Sequence, residues 1–322
     1  MITYILFIIW FILLIKWADF LVEWASSLAK KYKISELVIW LTIVAIGTSM
    51  PELVVNLISA FRESSWLALG NILWSNIANI LLVLGISICF YPMTIKKSTI
   101  YREIPFSLAA IIILSIFINN FVTKAWGIAL VSRFEGVLLL GLFGLFMTYI
   151  FWIARNMKKT EMAEKETIEQ FSTTKSTLLI AGWLTWLIIG WEWIVNWAIL
   201  ITRQLWLSEL TIWVTVVAIG TSLPEIATSV VASRKKKPDI AIGNIVWSNI
   251  FNILRVLWLT ATIHPLTVPS GINRDIGFAI FATTLLLIFP LIKKKFTLHR
   301  YQGFIMIITY VVYLIIVFST AK

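Results

Sequence analysis

The chain has 322 residues, of which 60% are hydrophobic and only 13% are charged, and its formal net charge is +11. Soluble domains are about 45–50% apolar and about 25% charged, so this composition excludes an ordinary soluble protein. Apolar runs as long as ITYILFIIWFILLI also exceed the strands of membrane barrels, and they predict a membrane protein built of α-helices. A single cysteine, Cys89, excludes an intramolecular disulfide and argues against a thiolate metal cluster.

The excess of basic residues has two interpretations. A nucleic-acid-binding surface is one, but the sequence contains no basic and aromatic module of that kind. In a membrane protein, such an excess is more typical of cytoplasmic loops that face anionic lipid. We therefore expect the lipid bilayer as the surroundings of the chain and no nucleic acid as a partner.

Ten apolar runs follow one another along the chain. Five fall in residues 1–154, the polar linker 155–176 follows, and five more fall in residues 177–322. The predicted spans are 2–16, 37–60, 66–91, 104–118, 135–153, 177–200, 210–232, 241–263, 276–292 and 303–319. The first run lacks an A-x-A-like cleavage site, so we expect it to be a retained helix rather than a signal peptide. The expected fold is all-α, with ten transmembrane helices.

The two halves of the chain repeat each other. TIVAIGTSMPE begins at Thr42 and TVVAIGTSLPE begins at Thr215, an offset of 173 residues. GNILWSNIAN and GNIVWSNIFN pair at the same offset, which indicates a duplicated unit. Because each unit holds an odd number of spans, the second must enter the membrane upside down. The sequence thus predicts two inverted five-helix repeats.

The basic residues select one orientation for these repeats. If the N-terminus is outside, most of the lysines and arginines fall in loops on the inner side, as cytoplasmic loops require. We therefore expect a multi-pass protein of the inner (cytoplasmic) membrane, with both termini outside and the linker 155–176 in the cytoplasm.

The stretch AIGTSMPEL carries unusual chemistry for the middle of a span. Pro51 has no N–H, so it leaves the carbonyl of Gly47 without its helical partner. Thr48 and Glu52 are four residues apart and share one helix face, with Ser49 beside them. A carboxylate, hydroxyls and a free carbonyl are hard oxygen ligands, which suit Ca²⁺ or an alkali cation.

A paired structural charge is the simpler interpretation of Glu52. However, an ionisable residue inside a span is functional by default, and the second repeat carries Glu225 at the same position. Inverted repeats place their sites near the midplane, so we expect Glu52 and Glu225 to meet there. Two neighbouring carboxylates repel each other unless a cation lies between them or one is protonated.

The second motif adds polar side chains to the same region. Ser75 and Asn79 are four residues apart on one helix face, and Ser248 and Asn252 repeat the arrangement. Such residues commonly form hydrogen bonds between membrane helices, and we favour ion ligation for these four. For the remaining asparagines of the motif, interhelical hydrogen bonding is the preferred interpretation: Asn71, Asn76, Asn244 and Asn249.

Together, these paired motifs resemble the two alpha-repeats of the cation/Ca²⁺ exchanger superfamily, and the chain is similar to its prokaryotic sodium/calcium exchanger-like members over nearly its whole length. The resemblance implies ten helices around a central ion site, with Ca²⁺ export driven by Na⁺ entry through alternating access. It implies these ligands: Thr48, Ser49, Glu52, Ser75, Asn79, Thr221, Ser222, Glu225, Ser248 and Asn252, with the carbonyls of Ala45 and Ala218. Ca²⁺ and Na⁺ would be transported ions, so no cofactor is expected, and we expect a monomer.

Other functions stay open at this point. Some relatives carry aspartate at the position of Asn79 or Asn252, where this chain has asparagine at both. The two glutamates are therefore the only formal negative charges among the implied ligands, and a H⁺- or K⁺-coupled exchanger remains an alternative. An intramembrane hydrolase is a remote one, because His264 and His299 stand alone and no H-E-x-x-H motif occurs. We therefore expect no enzymatic activity. Nothing in the sequence explains Arg255, which lies inside a predicted span.

The chain also contains 17 tryptophans but only 14 glycines. An interfacial aromatic belt does not explain those in mid-span, where the resemblance calls for glycine. The repeats interchange the largest and smallest residues, since Trp17 pairs with Gly190 and Gly85 with Trp258. Our hypothesis is that UGA codons read as glycine in the cell appear here as tryptophan. The candidate positions are Trp17, Trp24, Trp40, Trp74, Trp197, Trp213, Trp247 and Trp258. If these are true tryptophans, we expect overpacking at the ion site.

Overall fold

The computed structural model describes residues 45–119, 130–156, 218–292 and 296–320, and the isolated positions 178 and 182. Helices dominate these ranges, as the composition predicts. The predicted span 2–16, nearly all of the span 177–200 and the linker beyond residue 156 lie outside them.

The first half contributes six described α-helices. They are α1 (Ala45–Thr48), α2 (Met50–Phe61), α3 (Ser65–Ala78), α4 (Gly85–Phe90), α5 (Ile104–Ile118) and α6 (Arg133–Asn156). A π-helical stretch, Asn79–Leu84, joins α3 to α4, and another, Thr99–Glu103, leads into α5. Two short strands, β1 (Met93–Thr94) and β2 (Leu130–Val131), lie between the helices.

The second half repeats this order. Its described helices are α7 (Ala218–Thr221), α8 (Leu223–Arg234), α9 (Pro238–Phe251), α10 (Leu257–Ile263), α11 (Ile272–Ile288) and α12 (Arg300–Ser319). A π-helical stretch, Asn252–Val256, joins α9 to α10, and a 3₁₀ turn, Phe289–Leu291, follows α11. The strands are β3 (Leu266–Thr267) and β4 (Thr297–Leu298). The bounds of α7, α8 and α9 are those of α1, α2 and α3 shifted by the 173-residue offset between the repeats.

Six helical segments in the described ranges are apolar and long enough to cross a membrane. Two of them form the centre of the molecule, because 83% of an 18-residue apolar stretch in Ser65–Phe90 and 94% of one in Pro238–Ile263 are buried. In the other four, only 28–44% of the corresponding stretch is buried, and large apolar side chains such as Ile116 and Phe134 are exposed. In a bilayer those side chains face lipid, whereas the two central segments carry buried polar residues such as Asn71, Ser75, Asn244 and Ser248.

The two halves pack against each other through reciprocal helix and strand contacts. Helix α12 packs on α4, and in the reciprocal arrangement α6 packs on α10. Strand β1 pairs antiparallel with β4, while β2 pairs antiparallel with β3. Each strand pair and each of these helix contacts joins one element of the first half to one of the second. The packing of each half therefore depends on the other half.

A close glycine contact allows α4 and α12 to approach. A Cβ atom on Gly303 would lie 2.7 Å from the carbonyl oxygen of Gly85 and 3.0 Å from Sγ of Cys89. Membrane helices use small residues at interfaces of this kind because lipid supplies no hydrophobic force between them. Here the absence of a side chain is a condition of the packing.

Equivalent turns in the two repeats connect α2 to α3 and α8 to α9. Between α2 and α3, Glu63 has a left-handed φ of 54°, and between α8 and α9, Lys236 has a φ of 56°. The N–H of Ser64 donates to the carbonyl of Ser59, and that of Lys237 donates to the carbonyl of Ala232, each at 2.8 Å. These turns lay α2 against α3 and α8 against α9, which brings the two motifs of each repeat together.

Candidate ion-binding site

Each glutamate follows an interruption in its helix. Helix α1 ends at Thr48 and α2 begins at Met50, with Ser49 between them at φ −88° and ψ 11°. Helices α7 and α8 are interrupted in the same way at Ser222. Proline in the first turn of α2 and of α8 explains the breaks, because it has no N–H to continue the preceding helix. Glu52 and Glu225 therefore lie at new helix N-termini, which favour negative charge.

The two carboxylates are buried and short of hydrogen-bond donors. Both residues have no exposed surface. Neither carboxylate oxygen of Glu52 has a hydrogen-bond partner in the described ranges, and the same holds for Oε2 of Glu225. Ser49, three residues before Glu52, donates to Glu225, so the start of α2 lies beside the second glutamate. A buried anion without a donor is costly unless a cation compensates it.

Hydroxyl groups connect the repeats at this point. The hydroxyl of Ser49, in the first repeat, donates to Oε1 of Glu225 at 3.0 Å, and Ser248 donates to the same oxygen at 3.2 Å. Oγ of Ser75 lies 3.1 Å from Oγ1 of Thr221, again across the repeats. The motifs that the sequence pairs are thus brought together in space.

All ten residues whose side chains were predicted as ligands are fully buried. They are Thr48, Ser49, Glu52, Ser75, Asn79, Thr221, Ser222, Glu225, Ser248 and Asn252. The hydroxyl of Ser222 and the Oδ1 atoms of Asn79 and Asn252 have no hydrogen-bond partner in the described ranges. The carbonyl of Ala218 already accepts bonds from the Thr221 hydroxyl and the Ser222 N–H, so ligation by it or by Ala45 stays a prediction.

Interhelical hydrogen bonding is confirmed for the other four asparagines. Asn71 donates to Oδ1 of Asn56 on α2 at 2.7 Å, and Asn244 donates to Oγ of Ser229 on α8 at 3.2 Å. Asn244 also accepts from the Thr48 hydroxyl at 3.3 Å. Asn76 and Asn249 bond to each other's backbone across the repeats.

Sequence reasoning missed Asn56 and Ser229, which fix Asn71 and Asn244 beside the site. Comparison of the repeats does not single them out, because one half has an amide where the other has a hydroxyl. A signal was nevertheless present: each lies four residues after its glutamate, on the same helix face.

No basic residue in the described ranges forms an ion pair with either glutamate. The ion pairs found there are Lys96 with Asp239 and Arg274 with Asp275. Arg255 instead packs its guanidinium against the rings of Phe251 and Phe143, at 5.1 and 5.9 Å from their centroids. This cation–π contact supplies the explanation for Arg255 that the sequence lacks.

Donor chemistry narrows what the site can hold. No cluster of three or more histidine, cysteine or acidic residues occurs in the described ranges. Two carboxylates surrounded by amide and hydroxyl oxygens form instead an all-oxygen set, which fits hard cations and not zinc or copper.

Comparison with known proteins decides the family. The sequence profile described as "Sodium/calcium exchanger protein" matches residues 2–152 and 175–319, which is most of the chain. The chain belongs to the sodium/calcium exchanger family. The exchanger is 29% identical over 328 residues to the sodium/calcium exchanger MaX1 of Methanosarcina acetivorans, an alignment that covers 91% of this chain and 92% of MaX1. It is 32% identical over 301 residues to the putative antiporter CaxA of Alkalimonas amylolytica, with 92% of each covered.

Solved structures agree with this assignment. The exchanger matches the sodium-calcium exchanger NCX_Mj with a TM-score of 0.76 and 27% identity, over 100% of this chain and 99% of that one. The all-helical membrane fold predicted from the sequence is therefore confirmed, and so is the predicted superfamily. Members of this family are transporters, and the family and the structural match support cation/Ca²⁺ antiport for the exchanger.

Two of the eight tryptophans assigned to UGA codons lie beside the site of this exchanger. The ring of Trp74 covers Gly70 so closely that a Cβ there would lie 2.5 Å from it, and its Nε1 donates to Oδ2 of Asp275 at 3.1 Å. Trp247 packs on Phe146 with ring centroids 4.9 Å apart, but its buried Nε1 has no hydrogen-bond partner in the described ranges. An unsatisfied buried N–H costs about 1–3 kcal/mol. Of the remaining six tryptophans, all except Trp258 lie outside the described residues.

The decoding hypothesis makes a prediction about the gene. We expect UGA codons at Trp74, Trp247, Trp258 and the five other candidate positions, and glycine there when the native protein is analysed by mass spectrometry. Trp66 and Trp152, which are not among the eight candidates, serve as controls and should have UGG codons. UGG at all eight candidate positions would end the hypothesis.

Proposed function

We propose that this exchanger exports Ca²⁺ from the cytoplasm in exchange for Na⁺, by alternating access of one central site to the two sides of the cytoplasmic membrane. The observation that carries the proposal is the contact of Ser49, three residues before Glu52, with Glu225 of the other repeat, while three of the four carboxylate oxygens of the two glutamates lack a hydrogen-bond partner in the described ranges. Two negative charges match one Ca²⁺ or a pair of monovalent cations.

The proposed ligands are the ten buried side chains named above, with Asn79 and Asn252 contributing their Oδ1 atoms. The hydroxyl contacts between repeats support a single shared site rather than two separate ones, because Ser49 reaches Glu225 and Ser75 reaches Thr221. Loss of either half would then remove part of the coordination shell.

We further propose ten transmembrane helices in two inverted repeats, 1–154 and 177–322, joined by the cytoplasmic linker 155–176. Equal bounds of corresponding helices and the reciprocal strand pairs support this arrangement. The distribution of basic residues supports external termini, and the burial of both central segments is consistent with a monomer that encloses its own site.

Flux measurements determine which counter-ion is exchanged for Ca²⁺. The exchanger, purified and reconstituted in proteoliposomes loaded with Na⁺, is expected to take up radioactive Ca²⁺ when the outside is Na⁺-free and to stop when Na⁺ is equal on both sides. An ionophore that dissipates the Na⁺ gradient should abolish uptake. Liposomes without protein provide the control for leak.

Parallel gradients separate the alternatives. Uptake that follows a pH or K⁺ gradient and ignores Na⁺ would replace Na⁺ with that ion, in keeping with amide side chains where some relatives have aspartate. Absence of Ca²⁺ movement under all three gradients would contradict the proposed function itself.

A further inference from the structure

Four asparagines form a closed network where α3 and its π-helical extension meet their counterparts from the second repeat. Nδ2 of Asn76 donates to the backbone carbonyl of Asn249, and Nδ2 of Asn249 donates to the backbone carbonyl of Asn76, both at 3.1 Å. Nδ2 of Asn79 donates to Oδ1 of Asn249, and Nδ2 of Asn252 donates to Oδ1 of Asn76, also at 3.1 Å. Every one of these bonds crosses from one repeat to the other.

The network fixes which way each amide points. A backbone carbonyl only accepts hydrogen bonds, so Asn249 must turn Nδ2 toward Asn76 and keep Oδ1 on the other side. That oxygen also only accepts, so Asn79 must present Nδ2 to it and turn its own Oδ1 away. The same reasoning, started from the carbonyl of Asn249, fixes Asn76 and then Asn252.

The result is a pair of oriented acceptors. Oδ1 of Asn79 and Oδ1 of Asn252 are buried and have no hydrogen-bond partner in the described ranges. Asn79 and Asn252 lie four residues beyond Ser75 and Ser248, on the helix faces whose hydroxyls contact Thr221 and Glu225. An amide free to rotate would instead offer the site an N–H group, which repels a cation.

We propose that Asn76 and Asn249 are positioning residues, each of which holds the ligand asparagine of the opposite repeat with its oxygen toward the ion. This inference rests on the proposed function of the site. Residues of this kind typically change metal affinity about 10- to 100-fold when they are replaced, although they do not touch the ion.

A double-mutant cycle tests the proposal. Ca²⁺ affinity is measured by calorimetry on the purified full-length exchanger for Asn249→Leu, Asn79→Ala and the two combined. Leucine keeps the branched shape of asparagine but neither donates nor accepts hydrogen bonds. We expect each single change to weaken binding by about 10- to 100-fold, and the double variant to be no weaker than the weaker single, because Asn249 acts through Asn79.

A second double-mutant cycle, which combines Asn249→Leu with a change at Asn252 instead of Asn79, provides a matched control. Asn249 has no hydrogen bond with the side chain of Asn252, so Asn249→Leu and Asn252→Ala should weaken binding by the product of their separate effects. Ser87→Ala, a buried change on α4 that removes only a bond to the carbonyl of Val83, should leave affinity unchanged. A general packing defect would make both cycles multiplicative.

The outcomes distinguish failure of the positioning role from failure of the proposed function on which it rests. If the unchanged protein binds Ca²⁺ and the Asn249–Asn79 cycle is multiplicative, the positioning role is wrong and the site assignment stands. If the unchanged protein binds no Ca²⁺, the proposed function fails first. Should Asn249→Leu prevent folding, Asn249→Ser takes its place in the same cycle, since its shorter side chain cannot reach both partners.

Discussion

Glu52→Gln and Glu225→Gln are each expected to abolish Ca²⁺-dependent flux in proteoliposomes while the protein still inserts and folds. Removing one partner from a buried charged contact costs about 2–5 kcal/mol, which is roughly 30- to 4,000-fold in affinity. The ion-free Glu52→Gln variant should be at least as stable as the unchanged protein, because a buried carboxylate without donors in the described ranges is replaced by a neutral group. Flux and Ca²⁺-induced shifts in the melting temperature measure the two effects separately.

Glu103→Gln is the matched control for these variants. Glu103 is also a buried carboxyl group in an apolar helical segment, but it accepts a hydrogen bond from Tyr149 and lies outside the proposed site. Flux should survive this change, and Ca²⁺ should still raise the melting temperature by binding the folded state. Retention of flux in both Glu52→Gln and Glu225→Gln would refute the site assignment.

Gly303→Ala is expected to lower the stability of the protein by disrupting the packing of α12 on α4. Its new Cβ would lie 2.7 Å from the carbonyl oxygen of Gly85, which is backbone and cannot rotate aside. Overpacking of this kind costs about 1–3 kcal/mol, against a gain in helix propensity of about 1 kcal/mol. Thermal unfolding in detergent should show a lower midpoint, and flux should fall as α12 is forced away from α4.

Gly277→Ala provides the comparison within the same half. A Cβ on Gly277, in α11, meets nothing within 4 Å, so only the propensity gain remains and the midpoint should hold or rise. Equal midpoints for Gly303→Ala and Gly277→Ala would contradict the close approach of α4 and α12.

Much of this site could be predicted from the sequence because its signals are local. Pro51 and Pro224 break helices through the loss of one N–H, and the structure has both interruptions where the sequence expects them. The repeat offset then identifies Glu52 and Glu225 as partners. Long apolar runs predicted the six described membrane-length segments to within a few residues at their ends.

What the sequence could not supply depends on contacts between distant segments. The amide orientation of Asn79 is set by Asn249, which is 170 residues away. Pairing of β1 with β4 joins dipeptides too short to have a strand signal of their own. Arg255 looks unexplained until Phe143, on a separate helix, is placed beside it.

The reciprocal contacts between the halves also have a consequence for biosynthesis. At about 5–20 residues per second, the ribosome needs roughly 10–35 seconds to make the 173 residues that separate equivalent positions. During that delay the nascent first half lacks the partners that its polar groups contact in the folded protein, such as Thr221 for Ser75 and Asn249 for Asn79, and it lacks β4.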